Sequence, residues 1–183
     1  LDELYALEDD SLRPQKASAA VAAIRRAISA NDEDVKNDSA SLLIKVEFTD
    51  AEKADIAQFK ELSSKLNRLL GYSPERSERI VKLCHLINAE LEAPVDFVQL
   101  TAAAYMHDMG MAMVLKSKDD EEALQQAERS HPLIGAQLLS KHDGWDEAVQ
   151  MVIAHEEKFD GSGYPEGLVG PLIPSGAFII SLA

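Results

Sequence analysis

All five histidines of the chain, at positions 85, 107, 131, 142 and 155, lie in its second part. Three of them stand at the ends of helical patterns, and two of those three carry a neighbouring carboxylate. His107-Asp108 closes the apolar run Ala102-Ala103-Ala104-Tyr105-Met106, where two chargeable groups are costly unless paired or coordinated. His155-Glu156 continues the stripe Trp145, Ala148, Val149, Val152 at helical spacing, so its polar groups point where core belongs. His131 precedes Pro132, a residue suited to the first turn of a helix. Taken singly, the first pair could be a capping carboxylate beside a half-exposed imidazole, and His131 an ordinary exposed residue. Together, three helix ends that each deliver an imidazole point to a site for one or two divalent ions, held by ring nitrogen and carboxylate oxygen.

Directly after His155-Glu156 comes Asp160-Gly161-Ser162-Gly163-Tyr164-Pro165-Glu166-Gly167-Leu168. Glycine at this density lets backbone approach a ligand closely, so the string reads either as a tight structural turn or as a wall or lid for the site. The other two histidines carry less weight. His85 lies nine positions after Arg76 on one helical pattern, about half a turn out of phase, so both cannot face one site. His142, in the polar turn Lys141-His142-Asp143-Gly144, is expected to be solvated.

The elements that must position these groups are helical nearly throughout. Residues 17–30 are Ala-rich with Val21, Ile24 and Ile28 at helical spacing, and Asn31–Ser39 is an acidic loop. Ser41–Phe48 is a strand or the start of the next helix. Thr49 with Glu52 forms a capping box that opens a long helix through Leu70, stopped by Gly71. Ser73-Pro74 starts a helix to about Leu91, and Asp96 to about Met113 reads as one helix buried on most sides. Asp119–Arg129 is a polar surface helix. Ser130-His131-Pro132 begins a separate short one with Ile134, Leu138 and Leu139 inward. Trp145–Lys158 is amphipathic, and Ser175–Ala183 begins a last apolar helix. The expected fold is all-α, divided into an N-terminal helical extension over residues 1–70 and a denser domain over 71–183.

With 183 residues the chain is long enough for one domain and a small extension, without disulfide or structural metal. Its single cysteine, Cys84, sits in an apolar run and reads as a core thiol. A net charge of −14 argues against nucleic-acid binding, which needs clustered Lys and Arg. It does not exclude an anionic small ligand held by local cations or metal. No apolar stretch approaches the ~20 residues of a bilayer span and no secretion signal is visible, so a cytoplasmic, membrane-free domain is expected. The chain opens at Leu1 rather than Met, which suits a fragment of something longer.

Residues 72–183 resemble the HD-GYP domains, a branch of the HD metal-dependent phosphohydrolases. The resemblance rests on His107-Asp108-Met109-Gly110, on His131-Pro132-Leu133-Ile134-Gly135-Ala136 and on the string from His155 through Pro165, followed by Gly167-Leu168, Gly170, Ile173-Pro174 and Ala177. It implies a helical bundle with a centre of two or three metal ions, usually iron or manganese, that hydrolyses the bacterial second messenger cyclic di-GMP. Carried over residue by residue, His107 would bind one metal, Asp108 would bridge, and His131 and His155 would bind a second. Gly163, Tyr164 and Pro165 would lie at the substrate. The 160–170 loop would be a docking element for a diguanylate cyclase or other signalling protein.

The departures from the family pattern fall on the chemistry. Arg76 stands where the family has its first ligand histidine, and Tyr72 where some members have a glutamate. Met111 replaces a phosphate-contacting lysine, Glu156 replaces the second histidine of the last string, and a final ligand aspartate would follow Ala183. Glu156 keeps an oxygen ligand suited to Mn²⁺ or Mg²⁺. Arg76 cannot ligate; it would reach Asp108 and replace a metal with a salt bridge, or grip a phosphate directly. The resulting expectation is one or two ions or none, and a cyclic di-GMP signalling module with weak or absent hydrolysis. The alternative is an active phosphodiesterase with an altered ligand set, using His107, Asp108, His131, His155 and Glu156.

Overall fold

A computed structural model of the chain describes residues 47–117 and 120–183. The helix read at 17–30, the loop at 31–39 and nearly all of the 41–48 segment lie outside the described residues. The elements are α1 (Asp50–Leu70), α2 (Arg76–Ala89), α3 (Phe97–Met106), a 3₁₀ segment (Met109–Lys116), α4 (Glu121–Leu139), α5 (Asp146–Ala154), a short 3₁₀ turn (Gly170–Leu172) and α6 (Ser175–Leu182). Among the described residues there is no strand; one isolated antiparallel bridge joins Asp160 to Val169.

Helix α1 begins at the expected capping box: Thr49 Oγ1 accepts from the Glu52 amide at 3.2 Å, and the Glu52 carboxylate accepts from the Thr49 amide at 2.6 Å. It ends at Gly71, whose φ of +83° favours glycine. The inner face of α1 enters the same core as the rest through fully buried Phe59 and Leu66. The expected division at residue 70 falls at the end of this helix. Helix α3 is the centre of the bundle, buried at every position from Leu100 to Met106. Its small residues Ala102, Ala103 and Ala104 let α2 and α5 close around it, with Val152 and Ile179 in the same apolar cluster.

Four expected helices are cut differently. The run from Asp96 does not stay helical to Met113; α3 stops at Met106 and the chain continues as a 3₁₀ segment. That segment lies against α4 so closely that a Cβ on Gly110 would stand 2.2 Å from the His131 carbonyl oxygen. The pattern read as two helices, 119–129 and 130 onward, is one helix with Pro132 inside it. Helix α5 ends at Ala154 rather than running to Lys158, which leaves His155 at its C-cap. Helix α2 begins at Arg76 and ends at Ala89, a turn or less inside the expected limits at each end.

His142 is not solvated. Its Nδ1 lies 3.0 Å from Asp55 Oδ1 and its ring meets Phe59 edge-on at 4.9 Å, while the Trp145 indole N–H donates to the other Asp55 oxygen at 2.9 Å. One carboxylate of α1 thus ties down the turn between α4 and α5. Cys84 is fully buried, and burial pushes its thiol up to about 12, in keeping with a core residue.

His85 is also fully buried. Thr101 Oγ1 donates to the Phe97 carbonyl, so it accepts from His85 Nε2 at 2.7 Å, and His85 Nδ1 has no partner. Burial lowers its pKa from 6.5 to about 4. The unfolded chain therefore binds a proton that the folded chain refuses, and stability falls as pH drops from 6.5 towards 4. Between pH 7 and pH 5 this one group should remove about 2 kcal/mol of stability. Urea unfolding at the two pH values should show His85→Leu losing correspondingly less than the parent protein; an equal loss would mean His85 charges freely in the fold.

Candidate metal centre

Three imidazoles are aimed by the same local device. His107 Nδ1 donates to the Ala104 carbonyl at 2.9 Å, His131 Nδ1 to the Glu128 carbonyl at 2.6 Å, and His155 Nδ1 to the Val152 carbonyl at 2.7 Å. In each case the acceptor is the carbonyl three residues back. A carbonyl can only accept, so each Nδ1 carries a proton and each Nε2 is turned towards the site, free of its own helix backbone. Such a backbone partner on the far nitrogen is what orients a metal-binding histidine. For His131 the reason lies next door: Pro132 has no N–H to give the Glu128 carbonyl, so that oxygen is open to the ring.

The three Nε2 atoms converge on Asp108. His107 Nε2 is 3.2 Å from Asp108 Oδ2, and His131 Nε2 is 3.8 Å from Asp108 Oδ1. His131 and His155 present their Nε2 atoms to each other at 3.0 Å. Two lone pairs at that distance, beside a carboxylate oxygen, repel unless a proton or cation shares them. Asp108, His131 and His155 each offer an atom within 4.8 Å of the others, the size of a cation's ligand cage. Glu156 Oε1, 4.0 Å from His131 Nε2 and 3.8 Å from His155 Nε2, stands just outside as a further oxygen. The donor set of two imidazoles and one or two carboxylates fits a divalent first-row metal.

The other side of Asp108 is taken. Arg76 Nη1 donates to Oδ2 at 2.8 Å, as its place in the sequence led one to expect. The carboxylate is therefore divided, with Oδ2 on the guanidinium and His107 and Oδ1 towards His131. Burial alone would raise the Asp108 carboxyl, but His107 and then Arg76 outweigh it and hold it well below the usual carboxylate range. Burial lowers His155 to about 3, with the neighbouring His107 adding to the effect, so its ring is neutral and free to ligate at ordinary pH.

Arg76 is placed by α1. The Asn67 amide donates to Ser77 Oγ at 2.9 Å in a buried bond that pins the start of α2, and the Tyr72 ring lies 5.1 Å from the Arg76 guanidinium carbon. A cleft of about 470 Å³ opens here, lined by Arg76, Arg79, His107, Asp108, His155 and Glu156 among others. Met111, half-buried on the 3₁₀ segment, has its N–H bonded to the Asp108 carbonyl at 2.8 Å and brings no charge.

The glycine-rich string borders the same centre. Gly163 sits where a Cβ would be 2.3 Å from the Lys158 nitrogen, so only glycine lets the loop fold back on the end of α5. That fold brings the Tyr164 ring to 6.4 Å from the His131 ring, with the Arg129 guanidinium 5.4 Å from its centre. Burial, followed by the Glu156 and Glu128 carboxylates, raises the Tyr164 hydroxyl to about 12. Pro165 follows across a cis peptide bond. Arg129 escapes a reading of the sequence, and Glu157 enters it only as a member of the string from His155 through Pro165, with no role; nothing in its spacing betrays that it is 3 % exposed.

An all-helical bundle with an adjacent His-Asp pair at a helix end, facing one histidine inside α4 and one at the C-cap of α5, defines the HD arrangement. The HD domain pattern matches residues 56–183, and the chain belongs to the HD domain family, with the HD-GYP strings of that superfamily. It is 34% identical over 136 residues to the cyclic di-GMP phosphodiesterase response regulator RpfG of Xanthomonas campestris, an alignment covering 68% of this chain and 36% of that protein. It is 33% identical over 118 residues to the 3'3'-cGAMP-specific phosphodiesterase 3 of Vibrio cholerae, covering 61% and 26%. A cyclic di-GMP phosphodiesterase of Vibrio cholerae is 35% identical over 107 residues, covering 51% and 21%. The matched region thus spans between 21% and 36% of these relatives. No solved structure matches significantly. Among the described residues, no helix is long and apolar enough to cross a membrane.

Proposed function

We propose that this domain is a cyclic-dinucleotide signalling module of the HD-GYP type in which a guanidinium occupies one of the cation positions, leaving room for one metal ion and weak or absent hydrolysis. The observation that supports it is the 2.8 Å bond from Arg76 to Asp108 Oδ2. In this reading His131, His155 and Asp108 Oδ1 hold the ion and Glu156 adds an oxygen. Mn²⁺ or Fe²⁺ suits the imidazoles, and Mg²⁺ would lean on the carboxylates. Such an ion, when bound, supplies positive charge to a phosphodiester oxygen and lowers the pKa of water. Arg76 and Arg79 give a phosphate its other counter-charges from the cleft wall, and Arg76 can do so bidentately. Tyr164 stands beside His131 at the edge of the metal centre. The nucleotide class is taken from the relatives, whose names specify cyclic di-GMP and 3'3'-cGAMP.

A second reading, hydrolysis with an altered ligand set, is favoured by the division of Asp108. Because Arg76 uses only Oδ2, the Oδ1 side keeps both imidazoles of one metal position. Metal analysis of protein purified with Mn²⁺ or Fe²⁺, joined to a cyclic di-GMP hydrolysis assay, separates the two. About one ion per chain with little turnover is expected. Turnover matching that of a relative with two intact metal positions would sink the first reading. Protein that takes up neither metal nor nucleotide at micromolar concentration would sink both.

A further inference from the structure

Among the described residues, no cation pairs with the buried Glu157 carboxylate. Its negative charge is met by three consecutive backbone amides of the glycine-rich loop: Glu166 and Gly167 donate to Oε1 at 2.7 and 3.0 Å, and Leu168 donates to Oε2 at 3.0 Å. Gly167, at φ +68°, turns these N–H groups to one side, making a concave anion seat of the kind more often filled by a phosphate. Here the protein supplies its own anion. The same loop reaches the metal centre at its other end. The Tyr164 amide donates to the Glu156 carbonyl at 3.2 Å, and Gly163 packs so that a Cβ would stand 2.5 Å from Glu157 Cα. The loop therefore wraps around Glu157, and what it displays towards His131 is the Tyr164 ring with the Arg129 guanidinium lying over it.

We infer that Glu157 is a positioning residue for nucleotide binding: it holds the loop so that Tyr164, with the Arg129 guanidinium stacked over its ring, presents an aromatic face for a heteroaromatic base beside the metal centre. An aromatic ring stacks on bases without regard to sequence, which suits a cyclic dinucleotide. This rests on the function proposed above and adds the residue that controls access to its ligand. The metal-facing groups do not depend on Glu157, because the three imidazoles are aimed by carbonyls of their own helices. Removing the Glu157 carboxylate leaves three adjacent amides unpaired and frees the loop, while the cage of Asp108, His131 and His155 keeps its supports.

The test uses the full chain as Glu157→Ala, Glu157→Gln, Tyr164→Ala and the Glu157→Ala/Tyr164→Ala double variant. In Glu157→Ala, hydrogen exchange at the amides of Tyr164, Glu166, Gly167 and Leu168 should speed up by roughly a hundredfold, with α3 and α4 unchanged. Mn²⁺ affinity should stay within about twofold of the parent, while cyclic di-GMP affinity in Mn²⁺ falls roughly tenfold or more. The double variant should bind nucleotide no worse than Tyr164→Ala, since both changes remove the same aromatic face. Glu157→Gln, whose amide oxygen can still take the Glu166 and Gly167 amides, should recover most of the affinity; it also serves if the alanine variant fails to fold. Additive losses, a parallel fall in Mn²⁺ affinity, or undisturbed protection of the Tyr164 amide would each overturn the inference. If the parent protein takes up Mn²⁺ but no cyclic dinucleotide, the proposed function fails, and the positioning role is then decided by the exchange data alone.

Discussion

Arg76→His combined with Met111→Lys should raise the bound metal from about one to about two ions per chain and increase cyclic di-GMP hydrolysis by roughly a hundredfold or more. The reasoning starts from Asp108. Its Oδ2 now faces one guanidinium and the His107 ring, both on the side away from His131. A histidine at the first position of α2 would exchange a fixed cation for a neutral lone pair, and Oδ2 with His107 Nε2 would then be free to share a second ion. Lysine at 111, on the segment that follows Asp108, would restore a charge for the phosphate that Met111 cannot provide. Metal analysis and initial rates on the double variant decide the matter. No gain in either quantity would mean that the centre is distorted beyond these two positions.

Gly110→Ala should be among the most damaging single methyl additions in the domain. Its Cβ would fall 2.2 Å from the His131 carbonyl oxygen and 2.6 Å from His131 Cα, and both are backbone atoms that cannot swing aside. The 3₁₀ segment and α4 would have to part, at a cost of about 3 kcal/mol. Because Asp108 precedes that segment and His131 lies under it, Mn²⁺ affinity should drop by more than roughly tenfold as well. Urea unfolding and Mn²⁺ titration measure the two effects. Gly144→Ala is the control: its φ of +86° carries a conformational cost of about 1 kcal/mol, but nothing stands within 4 Å of the added methyl. Similar losses from both would show that the close approach at Gly110 does not matter.

Legibility in the sequence followed the range of the interactions. The Thr49–Glu52 box and the Gly71 stop are set by residues three apart or by one backbone angle, and they stand where local rules put them. The meeting of Arg76 with Asp108, 32 residues apart, was also foreseeable, because a family pattern placed both at one metal position. Local rules misled where packing overrode them. The apolar run from Asp96 carries no stop after Met106, yet the helix ends there because His107 and Asp108 turn inward and the next residues lie on α4. His142 looks like a turn residue until α1 brings Asp55 to it from 87 positions away. Glu157 has its partners within the following eleven residues, but they are backbone amides, and amides leave no trace in a sequence.

Pro132 shows how a flaw in a helix can decide where a proton resides. Any other residue at that position would bring an amide hydrogen to compete for the Glu128 carbonyl, and the His131 ring, losing its acceptor, would be free to move its proton to the far nitrogen. A lone pair would then become a donor pointing at His155 and Asp108. Proline removes the competitor permanently, so the tautomer of a side chain at the centre of the domain is written into the covalent structure of its neighbour.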